Sequence, residues 1–215
     1  KQADLQDAPA STKLPDKDFV AAIEGLHETT PAGLVPIIRS GDKLTALKAY
    51  AASFERKPDT KATISLVMAD YGLSKKISAD ANKALPDGIS LSLNPYSKDA
   101  QELTNQARKQ NREVWLSLPI QTDAYPEIDT GPNTLLTNMN LAENENRILS
   151  TLSTSTGYAG VILDEGNSFS SRKGDFEKII GSLRDRGLGL VQSDTESPFI
   201  EEIAGQQKAP FAKNN

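Results

Sequence analysis

Two stretches of the chain end in the same way. Ile64-Ser-Leu-Val-Met-Ala-Asp70-Tyr-Gly72 and Tyr158-Ala-Gly-Val-Ile-Leu-Asp164-Glu-Gly166 each carry an apolar, β-rich run into a carboxylate and then a glycine. Open α/β sheets and barrels place their chemistry at the carboxyl ends of parallel strands. Two acids at two such ends therefore point to one shared site, in which a carboxylate could act as a base or bind a cation. An alternative stays open for each: Asp70 beside Tyr71-Gly72, and Asp164 beside Gly166, could simply cap the turn that follows. Tyr71 and Tyr96 follow strand ends and are candidates for stacking on a ligand ring. Trp115 lies inside an apolar run and is expected in the core. The chain has one histidine, His27, outside this pattern, and it reads as an ordinary surface residue. Lys75 and Lys76 fit an exposed helix surface and not a catalytic amine.

The elements that must position these residues begin at Thr63. Strands are expected at Ile64–Met68, Ile89–Leu93, Val114–Leu118, Gly160–Leu163 and Leu188–Val191. Helices are expected between them, at Lys75–Lys83, Asp99–Gln110, Ala142–Leu152 and Phe176–Arg186. Strand–helix alternation implies βαβ units and a parallel sheet or barrel, and continuous apolar runs suit parallel strands covered on both faces. Asn140 with Glu143 forms a capping-box pattern, and Gly187 can stop the helix before it. Pro119–Asn140, with Pro126, Gly131 and Pro132, is the long connection; loops of that kind are often functional, and the alternative is a strap over the barrel mouth.

Before Thr63 the pattern differs. Residues 1–62 read as an N-terminal arm. Lys1–Asp18 is polar, interrupted by proline and without an apolar period, so disorder is expected there. Phe19–Leu26 could form one short helix, Thr30–Pro36 should run extended, and Leu44–Phe54 could be a helix or an irregular strap. Residues 63–215 form the second unit.

Composition excludes several classes. The 215 residues carry a net charge of −5, and with a pI near 5.0 no nucleic-acid partner is expected, since that needs a basic patch. No run of 18 apolar residues exists, so no span is expected. Zero cysteines exclude disulfides, thiol catalysis and Cys-ligated zinc. The chain starts at Lys1 without Met and shows no signal peptide, as a processed or trimmed form would.

Four segments resemble the divergent polysaccharide deacetylase family, relatives of the NodB-type carbohydrate esterases. They are Ile64–Ser74, Leu85-Pro-Asp-Gly-Ile-Ser-Leu-Ser-Leu-Asn-Pro-Tyr96, the more specific Leu116-Ser-Leu-Pro-Ile-Gln-Thr-Asp-Ala-Tyr-Pro-Glu-Ile-Asp-Thr-Gly-Pro-Asn-Thr-Leu-Leu136, and Thr156–Val161 with Gly166 and Phe169. Together they run in order over about residues 63–195. The resemblance implies a distorted (β/α) barrel with six or seven strands, of which Ala209-Pro-Phe-Ala212 resembles the start of a later one; the last elements would be missing or short. It implies polysaccharide or peptidoglycan fragments as ligands, a cell-envelope protein as a further partner, a periplasmic or secreted location, and membrane contact only through an anchor that this chain lacks.

Deacetylases of the wider group hold a divalent metal with one Asp and two His, use a second Asp as base and a further His as acid. The metal polarises the acetamide carbonyl and acidifies its bound water, and an acid must protonate the leaving amine. This chain departs from that pattern. The expected Asp pair reads Ala69-Asp70; Leu163-Asp164 stands where Asn-His is frequent; and Gln192, with Asp194 after it, stands where an Asp is common. The barrel has no histidine. The principal reading is a catalytically impaired, glycan-binding pseudoenzyme without a cofactor. The alternatives are an active de-N-acetylase in which Asp70 and Asp164, with Asp123, Asp129 or Asp194, form an all-oxygen divalent-metal site, and a protein-interaction module of the envelope. The candidate catalytic residues are Asp70 and Asp164. The candidate substrate-binding residues are Tyr71, Tyr96, Asp123, Tyr125, Asp129, Asn133 and Gln192.

Overall fold

The computed structural model describes residues 22–52, 58–86, 88–163, 167–193 and 199–214. A hairpin of β1 (His27–Thr30) and β2 (Gly33–Pro36) precedes a short helix, α1 (Ala46–Tyr50). Six strands then alternate with helices. They are β3 (Val67–Tyr71), β4 (Ser90–Leu93), β5 (Val114–Leu118), β6 (Gly160–Leu163), β7 (Gly189–Gln192) and β8 (Phe211–Lys213), separated by α2 (Lys75–Ala84), α3 (Ala100–Lys109), α4 (Leu141–Leu152), α5 (Lys173–Asp185) and α6 (Phe199–Gln207). A 3-10 segment, Asn167–Arg172, leads into α5.

All six strands are parallel, and their order in the sheet is their order in the chain. Right-handed crossovers in a sequential order keep the helices on one face and curl the sheet around the other. That is the winding of a (β/α) barrel, not of a doubly wound sheet, and the architecture is the α/β, distorted-barrel type. Among the described residues no ladder joins β3 to β8, so the ring is open at that seam.

The register sorts side chains between the two faces, because side chains alternate along each strand and paired residues share a side. Leu91, Leu93, Val114, Leu116, Leu118, Val161, Leu163 and Leu190 form one face and are buried. They join Ile148, Leu152, Phe176, Ile179, Leu183 and Ile203 of the helices in one core. The inner face carries Ser92, Trp115, Ser117, Gly160, Ile162, Gly189 and Val191. Trp115 fills its amino end, with Gly160 and Gly189 under the ring, and its indole N–H donates to Glu113 Oε1 at 2.6 Å. This is the core position expected for it. One step toward the carboxyl end, Ser92 Oγ and Ser117 Oγ share a buried 2.7 Å hydrogen bond.

The arm plugs the amino end. Leu47 packs at Gly189, the Leu47 N–H donates to the Gly187 carbonyl at 3.1 Å, the Ala52 N–H to Glu113 Oε2 at 3.0 Å, and Arg108 Nη1 to the Tyr50 carbonyl at 2.5 Å. His27 is half-buried, its ring 6.3 Å from that of Tyr50, so it is not an ordinary surface residue.

The elements match the sequence reading closely from α2 onward, including the Asn140–Glu143 capping box and Gly187 with φ +75° after α5. Three readings change. Residues 22–26 form bends and turns instead of the end of a helix. The first barrel strand starts at Val67, leaving Ile64 82% and Leu66 57% exposed, because the ladder to β4 begins only at Val67 and breaks in a bulge between Met68 and Tyr71. A helix, α6, precedes the last strand; its run Phe199–Gln207 contains Gly205 and follows Pro198, which masked its period in the sequence. No helix among the described residues is long and apolar enough to cross a membrane.

Candidate functional site

The strand ends bring Asp70 and Asn94 together. Asp70 sits in the bulge of β3, in the left-handed backbone region at φ +55°. A non-glycine residue there is uncommon and costs conformational energy, a feature that clusters at functional positions. Its carboxylate is exposed and accepts a hydrogen bond from Asn94 Nδ2 at 3.3 Å. Asn94 is fixed in turn, its N–H on the Tyr71 carbonyl (2.8 Å) and its Oδ1 accepting from the Tyr96 N–H (3.0 Å). Asp70 does not cap the next helix: Ser74 does, its Oγ accepting from the Ile77 N–H.

The bulge also redirects Tyr71. It places Tyr71 in register with Leu93, on the helix-facing side, fully buried, with its hydroxyl on Asn82 Oδ1 at 3.0 Å. Burial raises its pKa, and the bond to Asn82 opposes this. Tyr71 therefore packs α2 onto the sheet and is not available to stack on a ligand. Gln192 shares its side with Leu163 and Lys213 and is fully buried.

The long connection between β5 and α4 is an ordered strap. Ile120 bridges to Leu135, and Asn144 of α4 pairs with both the N–H and the carbonyl of Leu136 at 3.0 Å. Arg147 Nη1 donates to the Thr134 carbonyl at 2.6 Å, and Arg172 to the carbonyls of Thr137 and Met139. Tyr96 anchors the strap to the β4–α3 turn: its hydroxyl accepts from the Asn133 N–H at 3.1 Å and its ring lies against Gly131. Burial raises the Tyr96 pKa, and the Asn133 N–H and Thr134 hydroxyl work against that rise. The phenol is neutral near pH 7.

The remaining candidates lie on this strap. Asp129 is exposed and shapes the turn, its Oδ1 accepting from the Gly131 N–H at 2.9 Å. Tyr125 is half-buried beside the cis peptide bond to Pro126. Asp123 is exposed and lies 3.2 Å from Ser168 Oγ, which also reaches the Gln121 carbonyl at 2.6 Å. Asp164 and Asp194 fall outside the described residues. Asn94 and Ser168 escaped the sequence reading; Asn94 follows the apolar run Ile89–Leu93 directly, so the strand-end rule that found Asp70 would have found it.

The described residues of the mouth do not supply the imidazole ligands that the resemblance implies for the deacetylase metal: the one histidine of this chain is in β1, against Tyr50 at the opposite end of the sheet. Among the described residues, no three His, Asp or Glu side chains converge. No step of a metal-assisted hydrolysis can be assigned to these residues.

The profile of the divergent polysaccharide deacetylases matches residues 66–215. This chain belongs to the divergent polysaccharide deacetylase family. The matched region begins one residue before β3 and takes in all six barrel strands. A crystal structure of an uncharacterized protein, ATU2773 from Agrobacterium tumefaciens C58, has the same fold: TM-score 0.77, 24% identity, with 84% of this chain and 73% of that chain covered. No curated protein matches by sequence. In this family member the strand-end mouth is bordered on one side by the Tyr96-anchored strap.

Proposed function

We propose that this member of the divergent polysaccharide deacetylase family is a glycan-binding pseudoenzyme of the cell envelope, periplasmic or secreted, whose mouth reads N-acetylated polysaccharide such as peptidoglycan. The observation that carries the reading is the position of the sole imidazole. His27 packs on Tyr50 at the amino end of the sheet, so the mouth has neither the imidazole ligands nor the imidazole acid of the active relatives. What the mouth keeps suits binding. It has an exposed carboxylate at Asp70, an amide at Asn94, a phenol at Tyr96, and a strap already ordered by its own hydrogen bonds, which lowers the entropic cost of engaging a ligand.

Binding of triacetylchitotriose and of soluble peptidoglycan fragments tests this by calorimetry, beside an acetate-release assay with zinc, manganese or magnesium. Binding that weakens at least about tenfold in Asp70→Asn and in Tyr96→Ala, without acetate release, supports the reading; tenfold corresponds to about one hydrogen bond lost. Acetate release that needs manganese and is abolished by Asp70→Asn and Asp164→Asn would replace it with an all-oxygen metallohydrolase. A second reading, a protein-interaction module, is favoured by the apolar side chains exposed along β3 and α2: Ile64, Leu66, Val67, Leu73 and Ile77. Leu66→Asp with Ile77→Asp should leave glycan binding unchanged if the mouth is the functional surface.

A further inference from the structure

A groove of about 470 Å³ opens between α2 and α3, beside the mouth and outside the sheet. That volume is in the range of small-molecule sites. It is lined by the apolar Leu73, Ala79 and Leu103, by Tyr96, and by Asn82 and Gln106. Its rim is fixed by the Lys75–Asp99 ion pair at 2.7 Å, while Lys98 is exposed and has no ion pair among the described residues.

One polar group in this groove is unsatisfied. Ser97 Oγ is buried and has no hydrogen-bond partner. It lies where the absent side chain of Gly72 leaves room: a Cβ on Gly72 would stand 2.8 Å from it. A hydroxyl has one hydrogen to donate and two lone pairs to offer, and leaving it unpaired costs stability that a ligand group can restore.

The groove is continuous with the mouth. Asn94 holds Asp70 on one side and the Tyr96 N–H on the other, and Tyr96 and Ser97 are groove residues. We infer that the α2–α3 groove is a second saccharide subsite, taking the next N-acetylhexosamine unit of the chain bound at the mouth; the inference rests on the glycan reading above. The lining matches that unit chemically. An acetamide needs an apolar contact for its methyl, supplied by Leu73 and Leu103, and partners for its N–H and carbonyl, supplied by Ser97 Oγ and by the second hydrogen of Gln106 Nε2, whose first is on Glu102 Oε1 at 3.0 Å. The Tyr96 ring offers an apolar side to the pyranose.

Titration of ¹⁵N-labelled protein with triacetylchitotriose, followed by amide chemical shifts, tests both subsites at once. Asp70, Asn94 and Gly131 report the mouth; Asn82, Ser97 and Gln106 report the groove. The expected result is that both sets move with one affinity. Ala79→Trp, which fills the groove from an exposed position, should remove the groove shifts and keep those at the mouth. Ser97→Ala should weaken binding by about tenfold, the loss of one hydrogen bond. Shifts at the mouth alone overturn the groove and leave the glycan reading intact. Shifts at the groove alone overturn the mouth and, with it, the groove's role as the subsite for the next unit. No shift in either set overturns both.

Discussion

The hydroxyl of Tyr96 takes the backbone N–H of Asn133 at 3.1 Å, and its ring fills the space where a side chain on Gly131 would stand. One residue of the β4–α3 turn thus sets the path of the strap across the mouth. A Cβ at Gly131 would meet Tyr96 Cζ at 2.5 Å, and Gly131 has φ +110°, where a side chain is strained as well. Gly131→Ala should cost about 1–3 kcal/mol, read as a lower urea midpoint. Tyr96→Ala in the same chain should recover only part of it, since the backbone strain remains. Tyr96→Phe should cost about 1 kcal/mol for the lost hydrogen bond.

The amino end of the inner face is filled differently. A Cβ on Gly160 would lie 2.1 Å from the Gly189 carbonyl oxygen, a backbone atom, whereas one on Gly189 would meet only the side chains of Leu47 and Trp115, each at 2.9 Å. The two substitutions should therefore behave unlike each other. Gly160→Ala should cost about 3 kcal/mol or more, and Trp115→Leu should not rescue it. Gly189→Ala should be milder, and Trp115→Leu should offset part of its cost. Thermal denaturation of the four single and double variants decides this; equal rescue at both glycines would mean that the strands can part there.

The sheet was legible because its strands are continuous apolar runs, and the helices because Asn140, Glu143 and Gly187 mark their ends. The bulge in β3 was not legible. Ile64–Met68 is as apolar as any strand interior, and only pairing with β4 shows that the ladder starts later and that two residues, Ala69 and Asp70, stand opposite the single Ser92. That shift decided the fate of the site candidates. It put Asp70 at the mouth, as the strand-end rule expects, and turned Tyr71 into the helix layer, which no local pattern announces. Which face a strand-end residue such as Gln192 takes depends on register, and a single sequence does not state it. The strap residues were found because their composition resists regular structure, but their roles in holding the strap come from tertiary contacts with Tyr96, Arg147 and Arg172.

His27 gives the fold a pH dependence. Burial lowers its pKa below the ordinary 6.5, outweighing the contribution of the Ile23 backbone. The unfolded chain then takes up a proton at a higher pH than the folded one. Stability contributed at this site is unaffected above about pH 6.5, falls as the pH drops below it, and levels off once the pH is below the folded value. Between pH 7.5 and 5, wild type should lose more of its urea midpoint than His27→Phe, which keeps a ring against Tyr50 without the titrating group. Equal losses would show that carboxylates, not His27, account for the acid sensitivity.

Asp70 separates stability from function most directly. Its left-handed backbone at φ +55° is a conformation that glycine adopts freely and aspartate does not. Among the described residues, the only side-chain hydrogen bond of Asp70 is the exposed one from Asn94 at 3.3 Å, near the limit of a useful contact. A residue kept for packing would make better contacts than this. Asp70→Gly should therefore raise stability, or leave it unchanged within about 1 kcal/mol, while removing triacetylchitotriose binding at the mouth. Asp70→Asn should preserve the strain and lose only the charge, so it should weaken binding without stabilising the fold. Denaturation and binding measured on the same two variants test the point. A destabilised Asp70→Gly that still binds normally would mean the carboxylate serves the bulge and not the mouth.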